Sequence, residues 1–149
     1  MNQLETLKAS GALRVVLTDA NGNVKEDVQL KNLVVNTGLN FIVSRMKDAT
    51  ATAMTHMELG TGTTAAAAAD TALGSAIAAS RTALTSTTVS TNTITYVASF
   101  AAGTGTGAVT EAGIFNASSA GTMACRTVFP VVNKQSGDSM TVTWTVTVS

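Results

Sequence analysis

The last ten residues carry the most regular pattern in the chain. Met140, Val142, Trp144, Val146 and Val148 alternate with Thr141, Thr143, Thr145 and Thr147. A period of two places the large apolar side chains on one face and the threonines on the other, which predicts an antiparallel strand with one buried and one open face. The same period recurs upstream. Two β-prone runs, near 12 to 19 and 23 to 30, flank Asn21-Gly22, a pair that tolerates positive φ and therefore predicts a tight hairpin. RTALTSTTVS, the turn Thr91-Asn92 and TITYVASFAA predict a second hairpin, with Ile94, Tyr96, Ala98 and Phe100 sharing a face. After a break at GTGTG (103–107), AVTEAGIFNA, the turn SSAG and TMACRTVFPVV predict a third. In its second strand Met123, Cys125, Thr127 and Phe129 alternate with Ala124, Arg126 and Val128.

Two segments depart from that period. In 38–48, Leu39, Ile42, Val43 and Met46 recur at helical spacing, so one short amphipathic helix is expected over the sheet, with Thr37 as its N-cap. From Gly60 to about 75 the chain reads GTGTTAAAAADTALGS, without a large apolar residue before Leu73. Alanine favours helix, but the missing apolar stripe and the flanking Gly and Thr predict a long loop instead. Loops of that length in small domains are usually functional or lie against a partner. The chain is expected to be a single mainly β domain over 1–149: an antiparallel β-sandwich or jelly-roll-like barrel of about seven strands, with one short helix, an N-terminal arm (about 1–11) and the long loop (about 60–75).

Composition adds a constraint on the surface. Of 149 residues only 12% are charged, and the formal net charge is zero. Nucleic-acid binding needs a basic footprint, so it is excluded as an expectation. No run approaches the 18 or so apolar residues of a membrane span, and MNQLETLKAS lacks the regions of a signal peptide, which predicts synthesis in the cytoplasm. Strands normally protect their edges with Lys or Pro, and this chain has one Pro. Much of its surface is therefore expected to be covered by other subunits.

Candidate chemistry is sparse. The only histidine, His56, lies in the strand-like run MTHMELG and reads as a surface or rim residue. Cys125 is in phase with Phe129 and reads as a small buried hydrophobe. The acidic residues are scattered singly except Glu26-Asp27, whose side chains point to opposite faces of a strand, so no metal site is expected. GTGTT and GTGTG lack the Lys-Ser/Thr of a phosphate loop. Glu111 is the one carboxylate in an uncharged strand, and Arg81 and Arg126 are the only basic residues between 48 and 133. A buried carboxylate needs a partner, so a structural pair between Glu111 and one of these arginines is expected. Trp144 and Tyr96 fall on apolar faces and read as core rather than as a sugar-stacking platform. The chain reads as a non-enzyme with no catalytic, cofactor or metal residues.

Three segments together carry a family resemblance: KNLVVNTGLNFIVSRM (31–46), HMELGTGTTAAAAADTALG (56–74) and TEAGIFNASSAGTMACRTVFPVVNKQSGDSMTVTWTVTVS (110–149). They resemble small virion proteins of tailed bacteriophages: capsid decoration (cement) proteins, collar or head fibres, and tail or fibre components. The resemblance implies a structural protein of the virion, made in the host bacterial cytoplasm, that stabilises the shell by intersubunit contacts. Its implied partners are the major capsid protein and further copies of itself, as a dimer or trimer. The alternative it leaves open is a tail, collar or fibre module that displays a receptor-binding part. The long loop and the N-terminal arm are the segments expected to reach a neighbour.

Overall fold

The computed structural model describes residues 7–47 and 51–149. The elements run β1 (Ala9–Thr18), β2 (Val24–Val34), α1 (Asn36–Arg45), β3 (His56–Gly60), β4 (Thr82–Ala83), β5 (Ser86–Ser90), β6 (Thr93–Phe100), β7 (Gly107–Phe115), β8 (Met123–Lys134) and β9 (Ser139–Val148). The protein is mainly β with one short helix, and every strand pair is antiparallel. The order β4-β3-β7-β8-β2-β1-β9-β6-β5 makes one sheet that curls into a half-barrel.

Two places let the sheet turn back on itself. β2 pairs with β1 along most of its length, but its end, Leu33 and Val34, pairs with Arg126 and Cys125 of β8. At the other side the two edge strands, β4 and β5, are separated only by Leu84 and Thr85. Leu84 N donates to Thr55 O (2.8 Å) and Thr85 N to Val97 O (2.7 Å), so this corner is bonded to both ends of the sheet. The run RTALTSTTVS, expected as one strand, is thus broken into two.

One core lies inside the curl. Leu13, Val15, Leu17, Phe100, Val142 and Trp144 meet Met57, Leu59, Ile114 and Phe129 from the opposite half. Full burial of side chains of this size contributes about 1.5 to 3 kcal/mol each. The alternation in β9 holds, with Met140, Val142, Trp144 and Val146 buried and the threonines half-buried on the outer side. The first hairpin forms around Asp19, whose Oδ1 accepts N–H bonds from Asn21 and Asn23, while Gly22 takes φ +86°.

Four expectations need correction. The expected arm does not extend to residue 11, because residues 9–11 belong to β1, where all three pair with β9 and Gly11 also pairs with β2; residues 1–6 lie outside the described part. The helix runs Asn36–Arg45 rather than 38–48, and Asp48 lies outside the described part. Thr37 is not its N-cap: Val35 occupies that position without a side-chain bond, and Thr37 Oγ1 instead donates to Met123 O at 2.6 Å. Finally, β8 is buried on both faces from Met123 to Thr127, so its alternation does not separate core from solvent.

Candidate functional site

Two regions stand out once the side chains are placed. In the first, the segment between β3 and β4 folds back over the outer face of β7 and β8. Glu111 sits there on β7, fully buried, with Gly60 of β3 directly opposite. Arg126 on β8 faces Gly113, the next residue on Glu111's side of the sheet. Gly113 has no side chain there and the space over it is taken by Leu73 and the Phe115 ring, while the guanidinium lies beside Gly74 and reaches the carboxylate. Arg126 Nε and Nη2 donate to Glu111 Oε2 at 3.0 and 2.8 Å.

The loop supplies the remaining donors and acceptors. Glu111 Oε1 accepts N–H bonds from Gly62 (2.9 Å) and Ser75 (2.7 Å), and Oε2 accepts one from Gly74 (2.9 Å). Arg126 spends its other three N–H groups on Asp70 Oδ2 (2.7 Å), Thr64 O (3.0 Å) and Ala65 O (3.5 Å). All five guanidinium donors are thus engaged. The glycines make room: a Cβ at Gly60 would sit 2.5 Å from Glu111 Oε1, and one at Gly62 would also collide with the carboxylate. Burial pushes the Glu111 carboxyl upward, but the N–H groups of Ser75 and Gly74 together with Arg126 and Gly62 outweigh it, and the group ends below its ordinary value. The Ala67 N–H and Arg126 likewise hold Asp70 below its ordinary value, against a smaller opposing effect of burial.

The expected pair therefore forms, with Arg126. Arg81 serves elsewhere: it pairs with Glu58 (3.1 Å), donates to Ala117 O and Ala120 O, and stacks 3.6 Å over the Phe115 ring. The loop expected to reach a neighbour is held against its own sheet by this cluster. The backbone N–H groups of Gly62, in the GTGTT run, and of Gly74 and Ser75 at the other end of the loop cradle an anion, and that anion is the protein's own Glu111. One member of the arrangement, Asp70, escaped the sequence reading; so did the buried Lys134, which lies apart from it at the far end of β8 and whose Nζ donates to Ala101 O (2.9 Å) and Asp138 O (2.6 Å). The glycines at 60, 62 and 74 around a lone Glu are the available signal that the loop folds onto Glu111.

The other candidates stay apart. His56 is half-buried on β3, with Nδ1 hydrogen-bonded to Thr55 Oγ1 at 2.7 Å. Cys125 is buried, and burial pushes its thiol up to about 12, so it is no nucleophile at neutral pH. Trp144 and Tyr96 are buried in the core. Among the described residues no group of three or more His, Cys, Asp or Glu side chains gathers at metal-binding distance. No helix of the described residues is long and apolar enough to cross a membrane.

The second region is the end of the molecule where α1 lies. The helix meets β8 through Gly38, where a Cβ would collide with the Ala124 carbonyl, through Thr37, and through half-buried Phe41 and Ile42. This reverses the expected orientation: Leu39 (41%), Val43 (64%) and Met46 (77%) stand in solvent, and Leu7 (72%) joins them. Leu7, Leu39, Ile42, Val43 and Val148 line one shallow apolar depression. Comparison of the chain with family models, curated proteins and solved structures finds no match.

Proposed function

We propose that this chain is a structural protein of a tailed-bacteriophage virion that decorates and cements the capsid. The sequence resemblance supplies the class. The observation that carries the attachment reading is the uncovered apolar row Leu7, Leu39, Val43 and Met46, where four of the seven exposed large hydrophobics among the described residues gather. Contiguous apolar side chains in water mark a surface that another protein covers. Lys8 and Arg45 are exposed beside them and α1 contains no acidic residue, so the matching surface on the shell is apolar with an acidic rim. The two halves of the curled sheet serve as the layers of a sandwich, or jelly-roll-like body, that carries this face.

A cement protein binds the assembled lattice and not the free capsid subunit, so it stabilises the shell by mass action. With zero net charge, that attachment is driven by apolar burial and persists at high ionic strength. The test is co-sedimentation with capsids that lack the native protein, together with a count of this chain per particle. Binding to such capsids at on the order of hundreds of copies, as a closed symmetric lattice requires, is the expected result. Association with isolated tails and not with shells would overturn it in favour of the tail, collar or fibre reading.

A further inference from the structure

The sheet ends at β5 in a strand with no protection. Ser86–Ser90 reads STTVS, every residue is exposed, and among the described residues β5 pairs with β6 alone. It has no lysine, proline or bulge, the devices that normally keep a free edge from pairing.

Which backbone groups remain open follows from the register. Val148 N donates to Asn92 O at 3.0 Å across the β6–β9 pair. Bonding directions alternate along a strand, so the even-numbered residues of β6 bond β9, and Thr93, Thr95 and Val97 bond β5. Their partners are Ser90, Thr88 and Ser86. The N–H and C=O groups of Thr87 and Val89 therefore point to the open edge.

We propose that β5 pairs antiparallel with β5 of a second copy of this chain, on a two-fold axis through Thr88. In that register Thr87 faces Val89 of the partner subunit on both sides of the axis, and the two residues exchange both backbone bonds each time. All four open groups on each chain are satisfied. Shifting the centre to Thr87 or Val89 brings Thr85, already bonded to Val97, or the turn residue Thr91 into the pairing instead. The segment is its own complement: Ser86 meets Ser90, Thr88 meets Thr88, and no charge opposes another.

Side chains on both faces fit the same register. Thr88 is opposite Thr95, whose hydroxyl lies 3.3 Å from that of Thr145, so the threonine row continues across the axis. On the inner face Val89, 70% exposed, is placed beside Thr87 of the other copy. Thr87 lines a groove of about 260 Å³ between α1 and the sheet, with Phe41, Ile42, Ile94 and Tyr96. Val89 of each chain enters the groove of its mate, which gives the edge contact an apolar anchor.

The test uses charge at the axis. Thr88→Lys and Thr88→Glu each place like charges directly opposite one another, and Thr88 is exposed in the single chain. In sedimentation velocity the unmodified chain should dimerise, each variant alone should raise the dimer dissociation constant about tenfold or more, and an equimolar mixture of the two should restore the dimer. Rescue on mixing excludes a folding defect as the cause. Val43→Lys on α1 should leave the dimer intact. A chain that stays monomeric, a Thr88→Lys chain as dimeric as the original, or a dimer lost in Val43→Lys and kept in Thr88→Lys would each overturn the proposal.

Discussion

Two stretches of the curled sheet are covered by opposite means. Over β7 and β8 the cover is a segment rich in Gly, Thr and Ala whose large apolar side chains are Leu73 and Ile77, and it buries a glutamate and an arginine with every bond made. Over the end of β8 the cover is α1, which has four large apolar residues at helical spacing and leaves three of them in solvent. Residue hydrophobicity alone would have assigned the tight closure to the helix and the loose one to the loop. The difference lies in where the buried polar groups are satisfied, since a closure pinned by charge has one arrangement and an apolar face has many.

The first way to break the contrast is to remove the pin. Arg126→Met leaves Glu111 buried without its counter-charge and should cost about 3 to 5 kcal/mol, read by denaturant unfolding. A buried ion pair can often be replaced by two apolar residues at little cost, but here Glu111→Leu combined with Arg126→Met should not recover stability. The N–H groups of Gly62, Gly74 and Ser75 would still lack an acceptor. Full recovery in the double variant would mean that the loop is held by packing and not by the carboxylate.

Acid should loosen the same closure by a smaller amount. Glu111 is held below its ordinary value of 4.5 in the folded chain, so the unfolded chain takes up a proton first. The stabilisation from its charge is fully present above about pH 4.5 and is lost as pH falls through the lower folded value. Glu111→Gln lacks that charge at every pH. The stability gap between it and the original chain should therefore be widest near neutrality and narrow below pH 4.5. A gap that does not change with pH would place the acid-sensitive group elsewhere, with Asp138, held low by Lys25, as the next candidate.

These two regions also mark where sequence reading succeeded and where it failed. Strands with one wet face, β1, β6 and β9, are legible because a period of two survives in their side chains. β8 defeats that reading because its second face is covered by small residues and hydrogen bonds, which leave no hydrophobic signal. The Glu111–arginine pair was legible from the cost of burying one charge, while the choice of Arg126 over Arg81 depends on register and could not be read along the chain. The apolar stripe of α1 is legible in the sequence, but it faces solvent rather than the sheet. A helix is assumed to bury its stripe, but Gly38 and Thr37 bring another side of α1 onto the Met123–Ala124 backbone by close approach rather than by apolar area.

That reversal can be tested at small cost to the fold. Val43→Lys places a charged side chain on the open face of α1, near the helix C-terminus where a cation is favoured, and lysine is at least as good a helix former as valine. Its effect on unfolding free energy should stay within about 0.5 kcal/mol, as for surface positions in general. Ile42→Lys, one residue earlier but half-buried against the sheet, should cost more, because its stem would have to leave the groove shared with Phe41 and Tyr96. The shell-binding assay should reverse the ranking. Val43→Lys, nearly silent in stability, should abolish co-sedimentation if Leu39, Val43 and Met46 form the attachment row. Equal and large losses of stability at both positions would show that the face is already buried in solution and is not open for a capsid.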